Sequence, residues 1–131
     1  MSRPLICLVM IVRDEAKGIR ETLRSVLQHV DRWLILDTGS SDGTQEIIWE
    51  TLARVPGILV QEPFVDFGTS RTRALELAGE ECVYTLMLSG NEVLRGGAEL
   101  RRVAEEHEGK TGAEHEVELS GLPAALRKLA P

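Results

Sequence analysis

The most constraining feature of this chain is a short apolar run that stops at a carboxylate and passes directly into a polar turn. Residues 33–36 read Trp-Leu-Ile-Leu, and residues 37–44 read Asp-Thr-Gly-Ser-Ser-Asp-Gly-Thr. A buried parallel strand over Leu34–Asp37 would carry the carboxylate to the carboxyl edge of a sheet, where open α/β sheets bind their ligands. The turn suits the start of a helix near Thr44, because its glycines relax the backbone and three residues can cap a helix: Ser40, Ser41 and Asp42. A plain capped turn without a ligand is the alternative interpretation.

Apolar runs and helical periodicity alternate along residues 5–88. The apolar runs predict four strands: Leu5–Val12, Trp33–Asp37, Ile58–Gln61 and Val83–Leu88. Apolar residues at three- and four-residue steps predict the helices between them: Lys17–His29, Thr44–Arg54 and a helix from Thr69 that stops at Gly79. Three successive strand-helix-strand units imply parallel neighbours and right-handed crossovers. We therefore predict an α/β fold, a three-layer α/β/α sandwich with a mainly parallel sheet of about four strands.

Two stretches fall outside this alternation. Residues 62–68 carry both phenylalanines of the chain with a proline and a glycine, which is typical of a loop that packs its aromatic side chains. Beyond the fourth strand the pattern predicts a surface helix, a polar segment, an edge strand and a terminal helix: Ala98–Glu108, Glu108–Glu114, Glu116–Leu119 and Leu122–Leu129. We expect residues 1–131 to form one domain, with a core at about 4–95 and a helical or edge-strand extension at 96–131.

The charge and the apolar segments argue against several classes of protein. The formal net charge is −6, whereas proteins that bind nucleic acid or anionic membranes normally present a basic face. The apolar run Leu5–Val12 is far shorter than the roughly 20 residues that span a bilayer, and no small-residue cleavage site follows it. Cys7 and Cys82 lack the spacing of a metal or redox pair, which favours reduced, buried thiols and a cytoplasmic protein.

Polar clusters follow each of the four predicted strands. They lie at Arg13–Glu15, Asp37–Thr38, Glu62–Arg73 and Ser89–Glu92. In a parallel sheet such clusters meet at the carboxyl edge. Carboxylates that read a base or a ribose, an arginine suited to phosphate and a polar turn near a diphosphate together fit a nucleotide ligand.

Four motifs built around these clusters resemble those of family-2 glycosyltransferases with the GT-A fold. They read Met-Ile-Val-Arg-Asp-Glu at 10–15, Leu-Asp-Thr-Gly-Ser-Ser-Asp-Gly-Thr at 36–44, Asp-Phe-Gly-Thr-Ser-Arg at 66–71 and Leu-Met-Leu-Ser-Gly-Asn-Glu at 86–92. The motifs keep the family's order and spacing. The resemblance implies a protein that binds a nucleotide-diphosphate sugar and transfers the sugar to an acceptor with inversion.

The same resemblance implies nucleotide-sugar-binding roles at the ends of the first three strands. These residues are Val12, Asp14 and Glu15, then Asp37, Thr38 and Gly39, and finally Arg71. Structural alternatives remain for the charged residues. Asp14 and Glu15 would also suit the first turn of the following helix, where its dipole favours negative charge. Arg71 and Arg73 would also suit an exposed helix surface.

The fourth motif departs from the family at its Asp-x-Asp pair. That pair binds Mg²⁺ or Mn²⁺, which prefers anionic oxygens and neutralises the departing diphosphate. Here Ser89 and Asn91 offer only neutral oxygens, and Glu92 is the remaining charged candidate. We therefore expect Mg²⁺ or Mn²⁺ to bind with reduced affinity or not at all, with Asn91 and Glu92 as the metal-ligand candidates. Alternatively, Glu92 is a plain turn carboxylate.

The resemblance covers a donor-binding half. Complete members of the family continue into a half that binds the acceptor and supplies an aspartate base. After Glu92, the acidic residues of this chain are spread over a solvated face, and its three histidines lack metal or triad company: His29, His107 and His115. We expect a homodimer or a completing partner chain to cover the apolar sheet surface.

Three functional hypotheses follow. The first is a glycosyltransferase that binds a nucleotide sugar and transfers the sugar once it is completed. The second is a catalytically inactive binding or interaction module, which Ser89, Asn91 and the short length favour. The third, a generic dinucleotide-binding domain, is weaker because no Gly-x-Gly-x-x-Gly motif follows the first strand.

Overall fold

The computed structural model of the protein describes residues 4–79, 82–107 and 129–130. In this part of the chain the strands are β1 (Ile6–Val12), β2 (Arg32–Asp37), β3 (Gly57–Gln61), β4 (Tyr84–Ser89) and β5 (Leu129–Ala130). The helices are α1 (Ile19–Val26), α2 (Thr44–Thr51), α3 (Phe67–Ala78) and α4 (Gly97–His107). None of these helices combines the length and the apolar composition that crossing a bilayer requires.

The strands form one sheet in the order β3-β2-β1-β4-β5. Strands β1 to β4 are parallel, and β5 runs antiparallel to β4. The register aligns Val12, Asp37 and Gln61 on β1, β2 and β3, and Ile11 pairs with Ser89 on β4. The carboxyl ends of these four strands therefore lie at one edge of the sheet, here termed the carboxyl edge, and their beginnings lie at the amino edge. The predicted, mainly parallel sheet is confirmed.

Side chains of each strand alternate between two cores, because successive residues of a strand point to opposite faces. On one face, strand residues pack with α1, α2 and α4, and the fully buried members include Leu8, Met10, Ile35, Leu23, Ile48 and Leu100. On the other face, strand residues pack with α3 through Cys7, Val9, Leu34, Leu36 and Ala74. The predicted three-layer α/β/α arrangement is confirmed.

The loop between β3 and α3 does not bury its aromatic side chains, so that prediction was wrong. Phe64 is 49% exposed and Phe67 is 65% exposed. Phe67 is also the first residue of α3, whose N-cap Asp66 accepts a hydrogen bond from the N–H of Thr69 at 2.7 Å. Because this cap fixes the end of the loop, the loop is ordered without burying its rings.

The predictions for the chain beyond α4 fall mainly outside the described residues. This holds for the polar segment at 108–114, the edge strand at 116–119 and most of the terminal helix at 122–129. The terminal helix is wrong at Leu129, which belongs to β5 and pairs with Leu86 of β4. Without β5, the strand β4 would be at the border of the sheet with free backbone N–H and C=O groups. These groups pair with Leu129 in an extended conformation.

Asp31, in the turn before β2, holds the amino edge together. Its Oδ2 accepts hydrogen bonds from the N–H groups of Leu5 (2.9 Å) and Ile6 (3.0 Å) and from the Arg101 guanidinium (2.7 Å). Burial raises the pKa of Asp31, but the hydrogen bonds from Arg101 and the two backbone groups outweigh it and hold this pKa below 3.8. One carboxylate thus ties α4 to the start of β1.

Candidate functional site

Four hydrogen bonds fasten the loops after β1 and β2 to each other across the carboxyl edge. The N–H of Asp14 donates to Ser40 Oγ, and the N–H of Ser41 donates back to Asp14 Oδ1, both at 2.8 Å. Two further bonds run from the N–H of Glu15 to Thr44 Oγ1 (2.9 Å) and from the N–H of Ala16 to Asp42 Oδ2 (3.1 Å). Two of the predicted binding residues, Asp14 and Glu15, are therefore held beside the turn that follows Asp37.

The backbone of Asp14 adopts the left-handed conformation, with φ of 51°. Aspartate tolerates this region better than most residues because its short side chain hydrogen-bonds locally. Here the bonds to Ser40 and Ser41 hold the conformation in place. Those two serines therefore do not cap α2 as predicted. The N-cap of α2 is Gly43, and Asp42 accepts the hydrogen bond from the N–H of Thr44.

Asp37 is fully buried at the end of β2. Its Oδ1 accepts hydrogen bonds from the N–H groups of Gly39 (2.8 Å) and Ser40 (2.7 Å), and Gly39 permits the tight turn with φ of 125°. Its Oδ2 is buried and has no hydrogen-bond partner within the described residues. Burial raises the pKa of Asp37, but hydrogen bonds from Ser40 and Gly39 outweigh it and hold this pKa below 3.8. The site thus contains a charged carboxylate with one unused oxygen.

Val12 and Thr38, also predicted as binding residues, contact each other. The N–H of Thr38 donates to the Val12 carbonyl at 3.0 Å, and its hydroxyl lies 3.4 Å from the same oxygen. The side chain of Val12 is only 2% exposed. The structure therefore places Val12 in the wall behind the site, whereas Gly39 is exposed at its surface.

Two cavities open beside the ends of β2 and β3. The smaller, of about 440 Å³, is lined by Thr38, Gly39, Gln61, Glu62 and Pro63. The larger, of about 640 Å³, lies along one flank of α3 and is lined by residues that include Leu36, Glu62, Thr69, Thr72, Arg73 and Glu76. Both volumes lie in the range of small-molecule sites, roughly 300–1,000 Å³.

Arg73 and Glu62 form an ion pair in the wall of the larger cavity. Arg73 Nε lies 3.0 Å from both carboxylate oxygens of Glu62. This pair joins the end of β3 to the middle of α3. The sequence interpretation treated Arg73 as a plain surface residue, and the missed signal was the pair of opposite charges at the two ends of the segment 62–73.

Arg71 lies on the opposite flank of α3 from this cavity. Successive helical residues are rotated by about 100°, so Arg71 and Arg73 project about 160° apart. Arg73, Thr69, Thr72 and Glu76 line the cavity on the side of β2 and β3. Arg71 is exposed. Because α3 packs across β1 and β2, the flank that carries Arg71 lies on the side of β1. The structure does not bring Arg71 into either cavity with Thr38 and Gly39.

The turn after β4 is closed by Glu92. Its Oε1 accepts a hydrogen bond from the N–H of Ser89 at 2.8 Å, and its own N–H donates to the Ser89 carbonyl at 3.1 Å. Gly90 is buried in this turn, and a Cβ there would lie 2.6 Å from Cγ of Glu15. A side chain at position 90 would therefore require the Glu15 side chain to turn aside.

The donor set of this turn does not fit a divalent cation. Ser89 and Asn91 contribute neutral oxygens, and one oxygen of Glu92 already serves the turn. Across the described residues, no three His, Cys, Asp or Glu side chains come together as a metal site would require. Mg²⁺ and Mn²⁺ usually bind through carboxylates with near-octahedral geometry. Asn91 and Glu92 thus do not assemble a cation site.

Comparison with known proteins bears on the family and the fold of this chain. Residues 7–87 match the family described as glycosyl transferase family 2. A TPR repeat-containing protein of Synechococcus elongatus is 35% identical over 96 residues, which cover 73% of this chain and 23% of that protein. The structure of S. aureus TarS in complex with UDP-GlcNAc matches with a TM-score of 0.67 and 18% identity, over 79% of this chain and 32% of the TarS chain. TarS in complex with UDP gives 0.63 and 19%, over 79% and 32%.

The shared part is a fraction of these relatives. The chain spans 23% of the Synechococcus protein and about a third of the TarS chains. At 16–19% identity, the likeness to TarS concerns the fold alone. It supports the GT-A-like arrangement of a parallel sheet with helices on both faces.

Proposed function

Because this chain belongs to glycosyl transferase family 2, we propose that it binds a nucleoside-diphosphate sugar at the carboxyl edge of its sheet. The observation that carries this proposal is Asp37, a buried carboxylate whose Oδ2 has no hydrogen-bond partner among the described residues. A buried oxygen without a partner destabilises the fold. A base N–H or a ribose hydroxyl would supply the missing donor.

We propose that the nucleoside occupies the smaller cavity. Thr38 and Gly39 line it directly after Asp37, with Gln61 on the facing strand. The Gln45 side chain helps to hold the pKa of Asp37 down, and its amide donates a hydrogen bond to Gln61 Oε1 at 3.0 Å. We expect the Gln45 side chain to move when a ligand reaches Oδ2.

We assign positioning roles to Asp14 and Glu15. Asp14 is engaged by Ser40 and Ser41, and the backbone of Glu15 is bonded to Thr44. These contacts hold the turn at 38–40 in the conformation that directs two N–H groups at Asp37. Loss of the Asp14 side chain would act on the nucleotide through that turn, whereas Glu15 contributes through its backbone N–H.

The test of the proposal is isothermal titration calorimetry with UDP and GDP. UDP is the first probe because TarS, which shares the fold, was crystallised in complex with UDP and with UDP-GlcNAc. The variant Asp37→Asn keeps the size of the side chain and removes its charge. For whichever of the two diphosphates binds, we expect this variant to lower the affinity by at least about tenfold, which corresponds to roughly 1.4 kcal/mol.

Asp31→Asn is the matched control for this experiment. Asp31 also accepts two backbone N–H bonds, but it lies at the amino edge. We expect the control to leave diphosphate affinity unchanged. If Asp37→Asn has no effect on affinity, or if both variants weaken binding equally, the proposed position of the nucleotide is wrong.

Transfer of the sugar to an acceptor, with inversion, is the second part of the proposal. We infer that this step needs a completing surface from a second copy or another chain, because apolar side chains on the α3 side are exposed. Ile58 is 53% exposed, and the exposed Phe64 and Phe67 lie in the segment between β3 and the start of α3. Sedimentation velocity is expected to detect a homodimer, and a clean monomer at high concentration would reject self-association.

A non-catalytic binding module is the competing function. The neutral side chains of Ser89 and Asn91 favour it, together with the engagement of Glu92 in its own turn. The two functions separate when the protein is incubated with UDP-GlcNAc and free UDP is measured over time. Release of UDP above the rate of the Asp37→Asn variant supports the enzyme, and tight binding without release supports the module.

A further inference from the structure

Several carboxylates at the carboxyl edge are engaged by the protein itself. Asp42 accepts hydrogen bonds from the N–H groups of Ala16 and Thr44, and Asp14 accepts one from Ser41. Glu62 is paired with Arg73, and Glu92 is bonded within its turn. These oxygens stabilise loops, so few anionic ligands remain for a cation.

Two arginines at the same edge have the opposite character. Arg13 follows β1 and Arg71 lies in α3, and both side chains are exposed. Neither forms an ion pair or hydrogen bond with the residues that the structure describes. Arg20, Arg73, Arg101 and Arg102, by contrast, are each paired with a carboxylate. Positive charge at this edge is therefore available to an anionic ligand.

The register places Arg13 beside the turn that stands at the family's metal position. Ile11 on β1 pairs with Ser89 on β4. Arg13 and Asn91 each come two residues later, in the loops that follow these two neighbouring strands; the strand axes lie about 4.8 Å apart. An arginine side chain is longer than this separation, so the guanidinium at position 13 is within reach of the loop after β4.

Arg71 approaches the same region from α3. It projects from the flank on the side of β1, away from the cavity that Arg73 and Glu62 line. Arg13 thus lies in the loop after β1, and Arg71 lies on the β1 side of the helix that packs over this strand. A diphosphate between them would meet two guanidinium groups.

We infer that this chain binds the diphosphate of its ligand without a divalent cation, and that Arg13 and Arg71 supply the neutralising charge. The inference rests on the proposed function. Guanidinium groups suit this task because they are planar, permanently charged and able to donate two hydrogen bonds to one phosphate. No covalent step is involved, since the arginines replace only the electrostatic role that a metal plays for the bound diphosphate.

The test is calorimetry of UDP and GDP in excess EDTA and again with Mn²⁺, on the full chain. We expect the affinity to differ by less than about twofold between the two conditions. Arg13→Ala and Arg71→Ala should each lower the affinity for the diphosphate by about tenfold in EDTA, because each removes a charge-assisted contact to phosphate. The corresponding monophosphate should lose less affinity.

Arg95→Ala is the matched control, because Arg95 is also an exposed arginine. It follows Leu94, whose N–H donates a hydrogen bond to Ser25 of α1. This variant changes the net charge equally and should leave affinity unchanged. We expect all three variants to fold, because the three arginine side chains are exposed. Circular dichroism checks this.

The outcomes separate the two proposals. Binding that appears only with Mn²⁺, or arginine variants no weaker than Arg95→Ala, overturns the metal-free mode alone. Absence of UDP and GDP binding in both conditions overturns the proposed function and this inference with it.

Discussion

Asp31 at the amino edge and Asp37 at the carboxyl edge begin with the same chemistry and end with opposite roles. Each carboxylate accepts hydrogen bonds from two backbone N–H groups. Asp31 also pairs with Arg101, whereas Oδ2 of Asp37 has no partner within the described residues. Within the described residues, the fold thus completes the polar contacts of Asp31 and leaves those of Asp37 incomplete, where a ligand can complete them.

The glycines at the two edges repeat this contrast. A Cβ at Gly57, where β3 begins, would lie 2.2 Å from the ring of Trp33. A Cβ at Gly90, where β4 ends, would lie 2.6 Å from the side chain of Glu15. The ring is 2% exposed and cannot swing away, whereas the glutamate is flexible. The amino edge is therefore the more rigid of the two.

The largest expected effect is that of Gly57→Ala on stability. The new methyl group overlaps the Trp33 ring, which is held by its Nε1 bond to the Val55 carbonyl at 2.7 Å. We expect the free energy of unfolding to fall by about 3 kcal/mol, the upper range for overpacking a core. Urea denaturation measures it. A loss no greater than that of Gly90→Ala would contradict the rigidity assigned to the amino edge.

Asp31→Ala is expected to come next, with a loss of about 2 kcal/mol. The substitution leaves two backbone N–H groups and the Arg101 guanidinium without their acceptor. The same denaturation assay measures it, and the double variant with Arg101→Ala isolates the contribution of the ion pair. If the double variant loses the sum of both single losses, the two side chains are not coupled and this account of the amino edge fails.

Gly90→Ala should cost about 1 kcal/mol, because the overlapping group is a side chain that can turn aside. Glu15→Ala removes the atoms that the new methyl group meets. The double variant should therefore be more stable than Gly90→Ala alone. Thermal denaturation of the three variants checks this, and an absence of rescue would locate the strain in the backbone of the turn instead.

The smallest expected effect concerns acid pH. The pKa values of Asp31 and Asp37 lie below 3.8 in the folded protein, so the unfolded chain binds more protons in that range. Their stabilisation is present above pH 3.8 and declines as pH falls through the folded values. Asp31→Asn should make the unfolding free energy less dependent on pH below 3.8. An unchanged acid profile, measured by urea titration at several pH values, would show that Asp31 is not a source of this dependence.

Much of the fold could be predicted from local pattern. The strand Arg32–Asp37 ends at its carboxylate as expected. A buried parallel strand is a continuous apolar run, and here that run stops where Asp-Thr-Gly begins. The exposed rings of Phe64 and Phe67 show where the same reasoning fails. Composition indicates that such a loop is ordered, but capping by Asp66 orders it equally well.

The candidate site could be predicted only in part. The sequence placed polar residues at one edge and singled out Arg71, yet it did not show that Arg71 and Arg73 lie on opposite flanks of α3. The ion pair between Arg73 and Glu62 depends on how α3 crosses the sheet. Local periodicity carries no information about that crossing.

The sequence by itself determined the order of strands and helices, the parallel sheet and the position of Asp37 at a strand end. Only the tertiary structure decided which carboxylates are already engaged and which arginines are not. The bond between Arg101 and Asp31 joins residues 70 positions apart, and that between Asp14 and Ser41 joins residues 27 apart. The reason is physical: hydrophobic periodicity is set by neighbours in the chain, whereas a polar partner is set by distance in space.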